Sequence, residues 1–175
     1  MKIVYLFLFL GIFCCTGENP RLRFLKDNIG KKLNLHPNSV IIKNVSYDYE
    51  QFRTLYPYLV INYIVEGCDV CYAKTFEWNN KKMVLPKDSL LAYLFVFRGK
   101  NFDTFIKRAI GDVEFPFFVT QDMNNIFMTK NSHIPDEILH NTMFINSEDK
   151  ICAIGEPINS EKMRGLYLKI ISNKY

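Results

Sequence analysis

Two cysteines, Cys68 and Cys71, stand between a run of strand-forming residues and a segment that can form an amphipathic helix. The first-turn amide groups of a helix have no intrahelical partner and carry the positive end of the helix dipole, so a sulfur held there is favoured as the thiolate. The thiolate is the form that attacks disulfides. A second sulfur one helical turn away can close a disulfide on the first and release a mixed-disulfide partner. The spacing therefore predicts thiol–disulfide exchange.

Two other chemistries stay open for this pair. An inert structural disulfide is one, although closing so short a loop would constrain the unfolded chain little. A zinc site is the other, and zinc would need two further ligands. The soft or imidazole donors that could supply them are His36, His133, His140 and Cys152. None of these forms a second close pair, so we expect no metal and no cofactor.

The first residues predict export. Met1-Lys2 precedes an apolar stretch that runs to Phe13 and is too short to span a bilayer comfortably. Cys14 and Cys15 then follow in a segment that resembles the lipobox of bacterial lipoproteins. Because Phe13 suits the cleavage position poorly, we expect residues 1–14 to be a signal peptide and Cys15 to be lipidated. The alternative is an ordinary cleaved signal peptide that discards both cysteines; either way the domain leaves the cytoplasm.

Length and composition predict one globular domain. The chain has 175 residues, of which 49% are hydrophobic and 15% aromatic, enough for a substantial core. Acidic and basic residues are interspersed and the formal net charge is +4, so nucleic-acid binding has no electrostatic support. We expect residues 15–35 to form an anchor, a tether and a short helix, and residues 36–175 to form the domain.

Apolar periodicity predicts the order of the elements. Continuous apolar runs indicate strands buried on both faces, and repeats at i, i+3, i+4 and i+7 indicate amphipathic helices. The expected elements are a short helix at 21–29, a strand or hairpin at 40–49, a central strand at 58–65, a helix from 68 to about 82, a strand at 90–97, a helix at 101–110, a strand start or edge strand at 115–119, a polar connection between 124 and 132, a hairpin at 142–155 and a final helix from 159 or 160. Strands that alternate with helices predict an α/β fold with a mixed sheet.

This order resembles the thioredoxin fold, and in particular the TlpA/ResA-type thiol-disulfide lipoproteins of Gram-negative envelopes. The stretches that carry the resemblance are Gly67-Cys68-Asp69-Val70-Cys71, Phe115-Pro116-Phe117-Phe118-Val119-Thr120-Gln121-Asp122 and Thr142-Met143-Phe144-Ile145-Asn146-Ser147-Glu148-Asp149-Lys150-Ile151. The resemblance implies a thioredoxin-like three-layer fold with a mixed central sheet and extra N-terminal helix and strand elements. It also implies that Cys68 attacks, that Cys71 resolves, and that the partners are protein thiols and disulfides of the envelope.

The chain departs from that family at two places. The family has a cis-proline before its penultimate strand, where this chain has Leu139-His140-Asn141; a non-proline cis bond costs about 3 kcal/mol, so we expect a trans peptide there. The family's tryptophan before the first cysteine is also missing. Asp69 opposes a thiolate on Cys68 while the helix end favours it. His140 is a further possible neighbour of the sulfurs, with an ordinary loop histidine as the alternative.

The sequence therefore predicts a lipid-anchored periplasmic thiol-disulfide oxidoreductase that uses Cys68 and Cys71. The alternative is a binding or assembly lipoprotein that keeps the fold around a structural disulfide. Cys152 lies in an apolar strand pattern and is expected to be a buried small residue and not a third redox group.

Overall fold

One mixed sheet of seven strands lies between two layers of helices in the computed structural model, which describes residues 19–35, 39–42, 45–80, 90–110 and 117–172. The strands are β1 (Ser39–Ile42), β2 (Val45–Asp48), β3 (Tyr58–Val65), β4 (Leu91–Arg98), β5 (Phe118–Asp122), β6 (Met143–Ile145) and β7 (Ile151–Ile154). The helices are α1 (Pro20–Lys26), α2 (Tyr49–Leu55), α3 (Asp69–Asn80), α4 (Phe102–Ile110), α5 (Ile126–Lys130), α6 (Asp136–Leu139) and α7 (Glu161–Ser172). Strand order across the sheet is β2-β1-β5-β4-β3-β6-β7.

The centre of the sheet is parallel. β3 pairs with β4 and β4 with β5, and the register sets Val65 opposite Arg98 and Arg98 opposite Asp122. The carboxyl ends of the three strands therefore meet at one edge of the sheet. β3 and β4 are buried along nearly their whole length, as their continuous apolar sequences predict.

Antiparallel hairpins complete both sides of the sheet. β1 pairs with β2 at one side, and β6 pairs with β7 at the other, where β6 also lies against β3. Both hairpins confirm the sequence predictions. Of the two possibilities for residues 115–119, a strand start or an edge strand, the second is wrong, because β5 begins at Phe118 and lies between β1 and β4; Phe115 and Pro116 lie outside the described residues.

Three short helices were not predicted. α5 occupies the polar connection expected between residues 124 and 132, and α2 and α6 lie in segments with no helical repeat. α5 begins where the Asp122 carboxylate accepts hydrogen bonds from the backbone N–H groups of Ile126 (2.7 Å) and Phe127 (3.3 Å). Asp48 is the N-cap of α2, and its carboxylate accepts a hydrogen bond from the N–H of Glu50 at 2.9 Å. Each of these helices has only one or two buried side chains, too few for a periodicity to be detected.

Alternating side chains of β3 divide the core into two parts. Val60 and Ile64 pack with Trp78 of α3, Phe105 of α4 and Tyr167 of α7, and we call this side of the sheet the α3 face. The other side, the α2 face, carries the remaining helices and includes the core residues Leu59, Ile61, Tyr63, Phe52, Phe127 and Ile138. The two layers of helices around the mixed sheet confirm the predicted three-layer α/β architecture. Within the described part of the chain, none of the helices is both long and apolar enough to cross a membrane.

Candidate active site

A disulfide joins Cys68 to Cys71 at the start of α3. The Cys68 carbonyl accepts a hydrogen bond from the Tyr72 N–H at 3.1 Å, so Cys68 occupies the N-cap position and Cys71 the first turn. The two Cα atoms are 5.2 Å apart. The predicted proximity of the two sulfurs is thereby confirmed.

The first turn of α3 presents a donor to the Cys68 sulfur. The Cys71 N–H donates to Cys68 Sγ at 3.2 Å. This N–H has no carbonyl partner within the helix, and it lies at the positive end of the helix dipole. After reduction, a negative charge on Cys68 would therefore be stabilised by this turn.

The disulfide is partly open to solvent. Cys68 and Cys71 are each half-buried, and between them Asp69 is exposed and Val70 is 79% exposed. On the inner side, Cys71 packs against the α3-face core, and the buried Thr75 hydroxyl donates to the Cys71 carbonyl at 3.0 Å. Cys71 is thus anchored to the core on one side of a disulfide that is partly open to solvent.

The turn that leads into Cys68 depends on a glycine. Gly67 has a φ of +77°, in the left-handed region that side chains disfavour. The backbone around it is fixed by hydrogen bonds from Glu66 N–H to Arg98 O (2.8 Å) and from Cys68 N–H to Val65 O (3.2 Å). The Glu66 side chain accepts two further hydrogen bonds from the start of α4, a role that its position in the sequence did not reveal.

A half-buried charge pair lies one helical turn beyond Cys71. Lys74 Nζ is 3.7 Å from Glu156 Oε1, and the same oxygen accepts a hydrogen bond from Trp78 Nε1–H at 2.8 Å. Burial lowers the pKa of Lys74, and the Glu156 carboxylate partly offsets that effect. Trp78 is 3% exposed and packs in the core of the α3 face. The contact with Glu156 could not be read from sequence because the two residues are 78 positions apart.

His140 lies against the α2 face. It is exposed, and its ring centroid is 5.5 Å from that of Tyr63. The Tyr63 hydroxyl is 3.3 Å from Asn125 Oδ1 and 3.5 Å from Asp122 Oδ2. Burial, followed by the Asp122 charge, raises the pKa of the Tyr63 phenol. The contact that the structure shows for His140 is with this group, so its predicted role beside the sulfurs stays a prediction. The described residues contain no cis peptide bond, as expected for a chain without the family's proline.

A buried polar pair lies on the α3 face beneath the disulfide helix. Asn62 is 1% exposed, and its Oδ1 accepts a hydrogen bond from the Thr142 hydroxyl at 2.7 Å. Its Nδ2 is buried without a hydrogen-bond partner. Because Asn62 stands between Val60 and Ile64 on β3, it shares the face against which Cys71 packs.

Cys152 and His133 are further sulfur and imidazole candidates within the described part of the chain. Cys152 lies on β7, and its Sγ–H donates to the Lys150 carbonyl at 3.4 Å. The expectation that it is buried is wrong: it is half-buried, because β7 lies at the edge of the sheet. In the described ranges no three His, Cys, Asp or Glu side chains cluster closely enough to hold a metal, and His36 lies outside those ranges.

Fold and disulfide together define the class. The parallel βαβ unit with its disulfide at the first helix, the closing hairpin and the final helix make this a thioredoxin-like fold. No family model and no curated protein matches the sequence. Solved structures do match it, and all those named below share 16% identity or less with this chain.

Three of these structures show the likeness. A proposed thiol:disulfide interchange protein DsbE from Chlorobium tepidum has a TM-score of 0.55 at 16% identity, covering 81% of this chain and 96% of that one. The C-terminal domain of a proposed thiol-disulfide oxidoreductase from Bacteroides thetaiotaomicron has a TM-score of 0.54 at 15% identity, with coverages of 85% and 99%. A proposed thiol-disulfide oxidoreductase from Bacteroides vulgatus has a TM-score of 0.53 at 11% identity, with coverages of 77% and 86%. At these identities the likeness establishes the fold.

Proposed function

We propose that this protein is a thiol-disulfide oxidoreductase of the cell envelope that exchanges electrons through Cys68 and Cys71. The observation that carries the proposal is the half-exposed disulfide at the N-terminus of α3, where the Cys71 N–H lies 3.2 Å from Cys68 Sγ. A helix end that stabilises a thiolate on the first sulfur favours exchange over an inert crosslink. The thioredoxin-like fold supports the same reading.

The proposed exchange has two steps. In the reduced protein the Cys68 thiolate attacks a partner disulfide; a bond forms between Cys68 and one partner sulfur, and the other partner sulfur leaves as a thiolate. Cys71, as the thiolate, then attacks Cys68, which restores the intramolecular disulfide and releases the second partner sulfur. Two electrons pass to the partner, and each released thiolate takes a proton from solvent. A dithiol donor of the envelope reverses both steps.

The side chains around the pair have different roles in this proposal. Asp69 is exposed beside Cys68, and its negative charge opposes the thiolate, which limits how strongly the helix end activates the sulfur. His140 is proposed as a neighbour of the sulfurs, as the sequence predicts. Both assignments extend the sequence prediction.

Anchoring and location rest on the first residues. The proposed signal peptide at 1–14 and the lipid on Cys15 would tether the domain to an envelope membrane on the periplasmic side, where its partners would be protein thiols and disulfides. These residues lie outside those that the structure describes. Incorporation of labelled fatty acid tests the anchor: it should be lost in Cys15→Ser and retained in Cys14→Ser. Incorporation that survives in Cys15→Ser would contradict this assignment.

Trapping a partner tests the exchange reaction. Cys71→Ser should accumulate a mixed disulfide through Cys68, because the resolving thiol is missing. The Cys68→Ser, Cys71→Ser double variant should capture nothing, and Cys152→Ser should behave as the wild type. If Cys71→Ser traps no partner and the reduced wild type fails to reduce a small disulfide such as oxidised glutathione or a glutathione mixed disulfide, the proposal is wrong.

The second candidate is a binding or assembly module with a structural disulfide. Its support is His140, which stands where the resembling family has the proline that packs against the sulfurs. This candidate predicts that the double cysteine variant keeps both partner binding and cellular phenotype. Loss of the phenotype in that variant would exclude it.

A further inference from the structure

The Glu66 carboxylate joins the loops that follow β3 and β4 at one edge of the sheet. It accepts a hydrogen bond from the Lys100 N–H at 2.7 Å and another from the Asn101 side-chain amide. Asn101 precedes α4, and its carbonyl accepts the first hydrogen bond of that helix, from the Phe105 N–H at 3.0 Å. Glu66 therefore ties the loop before Cys68 to the N-terminus of α4.

The fit between the two loops requires a glycine. A Cβ on Gly99 would lie 2.5 Å from Glu66 Cβ and 2.9 Å from Phe97 Cε1, and would also overlap Glu66 Oε2. Such separations are shorter than carbon atoms tolerate, so a side chain at position 99 would displace Glu66. The close approach of the loops and the position of the carboxylate thus depend on each other.

The same contacts give the charge of Glu66 hydrogen-bond donors at the start of α4. Hydrogen bonds from Asn101 and from the Lys100 N–H lower the pKa of the Glu66 carboxyl, so it is ionised at neutral pH. Its partners lie at the start of α4, where the helix dipole favours a negative charge. A carboxylate two residues before a reactive sulfur would otherwise oppose the thiolate, as Asp69 does.

We infer that Glu66 is a positioning residue that holds Cys68 at the N-cap of α3, where the Cys71 N–H can reach its sulfur. This inference rests on the proposed function of the pair. Without the Glu66 bridge, the loop between Val65 and Cys68 keeps only its backbone hydrogen bonds. Cys68 would then sample positions away from the helix end, and the thiolate would lose its stabilisation.

Two carboxylates near Cys68 allow a matched comparison, because positioning and charge predict opposite changes. Glu66→Ala should slow alkylation of Cys68 by roughly tenfold at neutral pH, the scale expected when one hydrogen bond to a thiolate is lost. Glu66→Gln keeps an acceptor for the Lys100 N–H and should slow the alkylation of Cys68 less than Glu66→Ala does. Asp69→Asn removes only an opposing charge and should accelerate alkylation. Gly99→Ala keeps the carboxylate but displaces it, so it should slow alkylation as Glu66→Ala does.

The measurement is the rate at which iodoacetamide labels Cys68 in the reduced full-length protein, monitored by mass spectrometry of the Cys68 peptide. The reduction potential of each variant is measured beside it; a tenfold shift in the redox equilibrium corresponds to about 30 mV. A purely structural bridge would change the urea midpoints of the oxidised and reduced forms equally and leave the potential unchanged. That result overturns the inference, as does acceleration in Glu66→Ala to match Asp69→Asn.

The labelling rate does not require turnover. Wild-type protein that fails to exchange with a disulfide refutes the proposed function, while the order of labelling rates among the variants still decides whether Glu66 positions Cys68. Should Glu66→Ala fail to fold, Glu66→Gln and Gly99→Ala give the same comparison.

Discussion

Reduction of the Cys68–Cys71 disulfide should change the free energy of unfolding much less than the loss of a structural crosslink would. The bridge closes a loop of about four residues, for which the chain-entropy relation gives a stabilisation of about 2 kcal/mol at 25 °C. An inert staple would lose this amount on reduction. The sequence separation of only three residues keeps the figure small.

A thiolate at the start of α3 offsets this loss in the reduced protein. The helix end contributes about 0.3–1 kcal/mol, and a hydrogen bond to a charged group contributes about 1.5–3 kcal/mol. The donor is in place, since the Cys71 N–H already lies 3.2 Å from Cys68 Sγ. At about pH 9, above the ordinary pKa of a cysteine thiol, these contributions count in full, and we therefore expect the reduced protein to be within about 1 kcal/mol of the oxidised protein, or more stable than it.

Urea unfolding of the two redox forms measures this difference. The chain has one tryptophan, Trp78, which is 3% exposed, so its fluorescence reports unfolding of the disulfide helix and its core. Cys152→Ser in both samples prevents exchange between Cys152 and the pair. A reduced form that is less stable by about 2 kcal/mol or more at about pH 9 would show that the helix end gives the thiolate no net stabilisation, and the argument for a reactive pair would then fail.

Three further substitutions test the structure around the site. Glu156→Ala should lower the free energy of unfolding by about 1–3 kcal/mol, because it leaves the buried Nε1–H of Trp78 without an acceptor, and Glu156→Gln should lower it less. Urea unfolding followed by Trp78 fluorescence measures both variants. Equal losses would contradict the role of the hydrogen bond. Tyr167→Phe loses the hydrogen bond to the Gly155 carbonyl, about 1 kcal/mol at neutral pH. Burial raises the pKa of Tyr167 above its value in the unfolded chain, so the stabilisation that this tyrosine contributes is lost as the pH rises above about 10. The difference in urea midpoint between the wild type and Tyr167→Phe should therefore shrink above that pH. A difference that stays constant would refute the direction of the pKa shift. Gly67→Ala should lower the free energy of unfolding by about 1–2 kcal/mol, because φ at this position is +77°. A Cβ there would meet nothing within 4 Å, so the loss comes from the backbone conformation and Gly67→Asn should recover part of it. Thermal unfolding measures both, and an unchanged melting temperature in Gly67→Ala would show that the turn relaxes freely.

Local sequence patterns predicted the central fold because each pattern depends on residues close together in the chain. The continuous apolar runs of β3 and β4 require burial on both faces, which only a covered parallel sheet provides. The polar turn between two short apolar runs required the hairpin of β6 and β7. Ser160 was one of two candidate starts for the last helix, and its hydroxyl accepts a hydrogen bond from the Met163 N–H at 3.2 Å.

Long-range contacts determined the features that local patterns missed. α5 was hidden in a polar segment because its cap, Asp122, belongs to the preceding strand. Cys152 is half-buried because β7 is an edge strand, and strand order is a property of the whole sheet. In each case the deciding partner lies in another element.

Spacing and apolar pattern, both local properties of the chain, were enough to predict two cysteines at the start of a helix that follows a buried strand. They and the family resemblance also predicted the fold and the attacking sulfur. The bridge from Glu66 to the start of α4 and the contact between Glu156 and Trp78 arise only in the folded chain. Parallel strands bring their carboxyl ends together from distant parts of the chain, so the neighbours of the disulfide are set by strand register and not by the residues that adjoin it.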